Sequence, residues 1–115
     1  MHHGNYLDNE LKPAPQVEGT KGAGLRWLTD NNSAEFFYMR HVIMEEGGTI
    51  GLHDHPYEHQ VFIIKGKGKC TVEGNEYEVT EGCYALVPGG VVHSFENTGE
   101  GNLEFICCIN RVELE

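Results

Sequence analysis

Residues 47–66 read GGTIGLHDHPYEHQVFIIKG, and after fifteen further residues 82–97 read GCYALVPGGVVHSFEN. Written as spacings, these are Gly47-x5-His53-x-His55-x3-His59-x6-Gly66 and Gly82-x5-Pro88-x-Gly90-x2-His93-x3-Asn97. His53 and His55 are two positions apart, so in an extended chain their side chains leave the same face and can share an ion. His59 keeps the same parity and lies beyond Pro56, where the chain can bend back toward the pair. His93 belongs to a separate segment and would close the site. Each histidine taken alone is more often a surface or satisfied core residue than a ligand. The joint spacing reverses those odds, because imidazole is the commonest metal-binding side chain.

Residues 47–97 resemble the two motifs of the cupin family. The second motif is matched at Gly82, Pro88, Gly90, His93 and Asn97. The first departs from the family pattern at one place, where His59 stands in the position of the usual metal-binding Glu, with Glu58 and Gln60 on either side. The six-residue interval to Gly66 selects His59 over Glu58. The resemblance implies a small single-domain bacterial cupin, an all-β antiparallel barrel or jelly roll, with His53, His55, His59 and His93 as metal ligands. It also implies a homodimer in which two barrels pack through their sheets.

The remaining histidines do not share this pattern. His2 and His3 sit near the terminus and read as tail residues. His41 is expected to face outward on a strand.

Composition agrees with one small β domain. The chain has 115 residues, enough for a single core. Fifteen glycines and four prolines divide short apolar runs, and helical periodicity is weak throughout. Eight basic against eighteen acidic residues give a formal charge of −10. That charge opposes nucleic-acid or anionic-membrane binding through counterion release. The start lacks the pattern of a signal peptide, and no run approaches the roughly 20 apolar residues that span a bilayer. A cytoplasmic location is therefore expected, with Cys70, Cys83, Cys107 and Cys108 as free thiols.

Residues 1–23 read as an extended arm ahead of a barrel over 24–115, with Pro13 and Pro15 fixing an extended stretch, and the arm is a candidate to pair with a partner subunit. Strands are expected at 24–29, 35–45, 50–54, 59–65, 69–73, 76–80, 84–87, 92–96 and 102–112. Turns are expected at Glu46-Gly47-Gly48 and Gly74-Asn75, among others. Alternation puts Phe105, Cys107 and Ile109 on the inner face of the last strand and Glu104 and Asn110 in solvent. The set Tyr38, Arg40, Val42 and Met44 has the better inward pattern. Arg40, Val42, Phe105 and Cys107 thus become pocket candidates, Arg40 as a group to grip a carboxylate. For Arg40 the competing reading is a surface ion pair, and for Cys107 a small buried hydrophobe. Phe62, Ile64, Tyr84 and Leu86 read as core or pocket wall, and Trp27 as core or interface. Asn97 reads as a turn residue bonding nearby backbone.

Four neutral imidazoles would leave a divalent ion its full charge. Imidazole suits Fe, Ni, Cu and Zn, and Mn is also admissible. The expectation is one divalent transition metal, Mn or Fe favoured, acting on a small oxygenated organic substrate by dioxygenase-like cleavage. Two alternatives stand beside it: a non-catalytic binding module whose ion holds a small ligand, and a Lewis-acid isomerase or lyase.

Overall fold

The computed structural model describes residues 1–111. A short 3-10 turn at Tyr6–Asp8 is followed by nine strands: β1 Lys12–Pro13, β2 Lys21–Trp27, β3 Phe37–His53, β4 His59–Lys65, β5 Lys67–Val72, β6 Asn75–Thr80, β7 Tyr84–Val87, β8 His93–Asn97 and β9 Leu103–Asn110. Every pairing is antiparallel, in the order β6-β5-β8-β3-β9-β4-β7, with β2 added to β3 and β1 to β2. The sheet curls into a nearly closed barrel around Tyr38, Val42, Met44, Val61, Ile63, Phe95, Leu103, Phe105 and Ile109. Each such side chain withdrawn from water stabilises the fold by about 1.5–3 kcal/mol. Among the described residues no helix is long and apolar enough to cross a membrane.

The expected strands 35–45 and 50–54 are one strand. The reversal expected at Glu46-Gly47-Gly48 is a bulge inside β3, where Lys21 pairs with Thr49 but Ala23 pairs with Met44, so Gly22 stands opposite Glu45 to Gly48. Gly47, at φ 76°, takes the left-handed conformation that absorbs the extra residues. Before the bulge, Phe37 to Met44 pair with β9; after it, Thr49 to His53 pair with β8. One strand thereby turns the barrel's corner.

Other differences are local. The β5–β6 hairpin turns at Glu73-Gly74, one residue earlier than expected, with φ 50° and 81° and with Val72 opposite Asn75. Both positive values suit a two-residue turn of the mirror-image type. The first barrel strand starts at Lys21 instead of 24, and the last runs 103–110. The remainder of the 102–112 expectation at Val112, and the domain's end at 112–115, lie outside the described residues.

Phe62, Ile64, Tyr84 and Leu86 are not core: they are exposed by 50%, 38%, 83% and 55%. The cause is strand alternation, since Val61 and Ile63 take the inner face of β4 and leave Phe62 and Ile64 outside. His41 does point away from the barrel interior, but it is 1% exposed. Its Nε2 lies 2.8 Å from Glu104 Oε1, the Tyr6 ring sits 4.8 Å from its own, and Arg26 Nη1 approaches Nδ1 at 3.4 Å. The chain's own N-terminal segment covers it. The side chain of Glu104, expected in solvent, is 12% exposed, held against His41 and 3.8 Å from Lys65 Nζ.

The N-terminal residues lie along their own barrel. Lys12 and Pro13 pair with Leu25 and Gly24, Ala14 N–H donates to Ala23 O, and Ala14 is 1% exposed. Thr49 Oγ1 donates to Gly19 O, and Gly51 N–H donates to Thr20 Oγ1. Gly51 is required for this approach, because a Cβ there would stand 1.9 Å from Glu18 O.

Asn97 is more than a turn residue. It is 4% exposed, its Nδ2 lies 3.0 Å from Met44 O, 3.0 Å from Glu45 O and 2.9 Å from Gly101 O, and its Oδ1 accepts from Gly99 N–H. It ties the end of β8 to the β3 bulge. Asn97→Ala strands several buried backbone groups and should cost about 2 kcal/mol or more. Urea denaturation checks this, and a midpoint equal to wild type would contradict it.

Candidate metal centre and its cavity

The four motif histidines meet at one end of the barrel, each delivered by a different local cause. His53 ends β3 directly opposite His93, which opens β8, and their ring centroids are 4.5 Å apart as in a close cross-strand pair. His55 lies past the end of β3 in a loop held by a hydrogen bond from Gly90 N–H to His55 O at 2.7 Å. The Tyr57 ring stacks on His55 at 4.0 Å. His59 opens β4 and is 9% exposed.

The ring orientations are set by the backbone. Nδ1 of His53 is 2.7 Å from Gly51 O, Nδ1 of His55 is 2.8 Å from Tyr57 O, and Nδ1 of His93 is 2.8 Å from Val91 O. A carbonyl oxygen only accepts, so each Nδ1 carries the proton and each Nε2 presents a lone pair. The potential ligand atoms of His53, His55 and His93 lie within 4.8 Å of one another. His93 Nε2 is buried and has no hydrogen-bond partner. Such an atom is costly unless something accepts its lone pair, and a divalent metal ion fits this donor set.

His59 joins the group along one edge. Its Nε2 is 2.5 Å from His55 Nε2, and its Nδ1 is 2.8 Å from Cys107 Sγ. It lies outside the three-histidine cluster but faces it. To offer Nε2 as a fourth ligand, His59 has to donate its Nδ1 proton to the sulfur, as the other three donate theirs to carbonyls. Arg40 Nη2 donates to the same sulfur at 3.1 Å.

Burial favours the neutral form of His55, His59 and His93. It lowers the pKa of His55 and of His93, in both cases against the opposing pull of the carbonyl at Nδ1. His59 is pushed down to about 2 by burial first, then by Arg40 and the neighbouring imidazoles. Burial pushes the Cys107 thiol up, with Arg40 pulling the other way, so the sulfur carries its proton at neutral pH.

Beside the histidines is a cavity of about 250 Å³. The sequence-derived pocket residues Arg40, Val42, Phe105 and Cys107 all line it, with His53, His55 and His59. Arg40 is 6% exposed and so is no surface ion pair. Sequence reasoning missed Ala14, Pro15 and Val17 from the N-terminal segment, and Asp54 and Tyr57 from the histidine loop. The Pro13 and Pro15 pair was the available signal for the first group, since it marks an extended stretch that can lie along a sheet.

The barrel and the histidine cluster together have the form of a small single-domain cupin whose histidines are compatible with metal binding. Residues 40–109 match the Cupin_2 family, cupin domain, and the chain belongs to that family. Among curated proteins it is 31% identical over 80 residues to the oxalate-binding protein of Thermotoga maritima, covering 69% of this chain and 64% of that protein. It is 35% identical over 72 residues to the mannose-1-phosphate guanylyltransferase of Klebsiella pneumoniae, covering 61% of this chain and 15% of that one. The chain thus spans less than two thirds of either relative. Among solved structures, the polyketide cyclase RemF from Streptomyces resistomycificus superposes with a TM-score of 0.84 at 21% identity, over 100% of this chain and 87% of that one. A predicted oxalate decarboxylase from Thermotoga maritima gives 0.82 at 22%, over 94% and 97%.

The lowered imidazole values set a pH dependence. In the unfolded chain these histidines take protons near pH 6.5, whereas the folded metal-free protein resists protonation, of His59 down to about 2. The unfolded state binds more protons in that window, so stability is full above about 6.5 and falls as the pH is lowered through it. Urea midpoints of chelator-treated protein should be lower at about pH 5.5 than at about pH 7.5, and His59→Gln should narrow the gap. A wild-type midpoint independent of pH would contradict the assignment.

Proposed function

We propose that this cupin binds one divalent transition metal through His53, His55, His59 and His93 and acts on a small oxygenated organic molecule by dioxygenase-like oxidative cleavage. The observation that carries the reading is the convergence of imidazole lone pairs, their tautomers fixed by backbone carbonyls, at the edge of an apolar cavity. When bound, Mn or Fe, the favoured ions, supplies Lewis acidity and one-electron chemistry with O2, and Ni, Zn or Cu suits the same donors.

The chain's own residues have separate tasks. The histidines hold the ion without adding negative charge, because each ligand is a neutral imidazole. Val42, Ile50, Phe95 and Phe105 line the cavity and keep water from it. Cys107 orients His59 and is itself held by Arg40. Asp54, an exposed carboxylate on the cavity lining, is the group placed to move a proton between ligand and solvent.

A second reading, a binding module without turnover, is favoured by a specific observation. No buried carboxylate or lysine lines the cavity to serve as a general base, and one relative is named an oxalate-binding protein.

Protein purified without a metal-affinity step should carry about one equivalent of divalent metal per chain by elemental analysis. His93→Ala should weaken metal binding by more than the about 10–100-fold that loss of a supporting group costs. Occupancy unchanged in His93→Ala would overturn the ligand set. With Mn or Fe loaded, oxygen uptake above that of the free ion is expected on a diketone and enediol panel. Uptake equal to free metal would leave the binding module.

A further inference from the structure

Arg40 is a buried cation that no described carboxylate neutralises. It sits on the inner face of β3, opposite Cys107 of β9 and beside Trp27 of β2, and only 6% of it is exposed. Its guanidinium carbon lies 5.3 Å from the centre of the Trp27 ring, which leaves the planar fork stacked and its orientation fixed. Of its N–H groups, Nη2 donates to Cys107 Sγ, while Nε is buried without a partner. Among the described residues, none of the carboxylates lies in a salt bridge with it.

Removing a cation from water without a counter-charge is expensive, and arginines that serve only the fold are found paired. Here the open side of the guanidinium is the cavity. The lining adds one acid, Asp54, which is exposed at the mouth. On a chain of net charge −10 this leaves a local positive site, more so with a divalent ion held by the histidines. Apolar Val17, Leu25, Val42, Ile50, Phe95 and Phe105 make up much of the remaining wall.

We infer that the cavity's ligand is a small organic anion whose carboxylate pairs with the Arg40 guanidinium, while a second oxygen, of a hydroxyl, keto or further carboxyl group, is directed toward the histidine cluster. Space of about 250 Å³ restricts it to short-chain acids. Arg40 supplies the charge recognition, since a guanidinium matches a carboxylate with two parallel N–H···O bonds. Bulky ligands do not fit that space. The inference rests on the metal reading for its second half alone, because carboxylate pairing with Arg40 needs no ion.

The test uses glycolate and its uncharged counterpart glycolamide at pH 8, with ionic strength matched by chloride. In metal-stripped wild type, glycolate should raise the melting temperature and glycolamide should not. With both proteins held at saturating Zn, Arg40→Gln should weaken glycolate by about tenfold or more by calorimetry. Arg40→Gln should also melt no lower than wild type without ligand, as expected of a charge whose partner is the ligand. An arginine that serves the fold would instead lose stability. Equal shifts with both probes, or a glycolate shift that survives Arg40→Gln, would overturn the inference. Absence of Zn binding with the glycolate shift intact would remove the metal reading and leave this one standing. Should Arg40→Gln not fold, Arg40→Lys keeps the charge without the fork and should still lose glycolate affinity, and the wild-type comparison of the two probes decides independently.

Discussion

The molecule depends on β3 being one continuous strand with three neighbours. Its first half pairs with β2 and β9, its second with β8, and the Glu45 to Gly48 bulge makes the change of partner possible. Arg40 and Val42 therefore come from the same strand as Ile50 and His53, yet they reach the cavity from different walls. Asn97 closes on the bulge from β8, so the position of His93 relative to His53 and the bend in β3 are secured by the same set of hydrogen bonds. Fold and site are here one constraint.

Much of this was legible because strand parity is strict. Tyr38, Arg40, Val42 and Met44, and Phe105, Cys107 and Ile109, are buried as their alternation demands. The motif histidines converge because their spacing places three strand ends and one loop at the same end of the barrel. Parity also explains one failure. Phe62, Ile64, Tyr84 and Leu86 are hydrophobic on the outer face, and hydrophobicity alone does not say which side of a sheet a residue takes. His41 and Glu104 were placed on the correct face but in the wrong surroundings. His41 is covered by Tyr6 and Arg26 and Glu104 is held against His41, contacts set by tertiary packing that no local pattern encodes. The bulge was read as a turn because glycine pairs signal both, and only the partner strand distinguishes them.

The electrostatics of the site follow from what it lacks. The donors of the cluster are imidazoles, burial favours the neutral form of His55, His59 and His93, Cys107 keeps its proton, and Arg40 adds a positive charge. Among the described residues, acids other than Asp54 are absent from the cavity lining of this strongly acidic chain. The long-range field of the protein and the local field of its cavity therefore have opposite signs, and any small anion meets attraction only after it has come close.

The N-terminal segment has a further consequence. Ala14, Pro15 and Val17 form part of the cavity wall, yet they contribute neither a histidine nor a rung of the barrel's main ladders, and a bare backbone at Gly51 admits the chain there. Shape and chemistry are thus encoded in separate parts of the sequence. Substitutions at these wall positions can enlarge, narrow or reshape the space for a ligand while ligand atoms, tautomers and strand register stay as they are. A lineage could change what it accepts by editing a few residues near its start, with the barrel left intact.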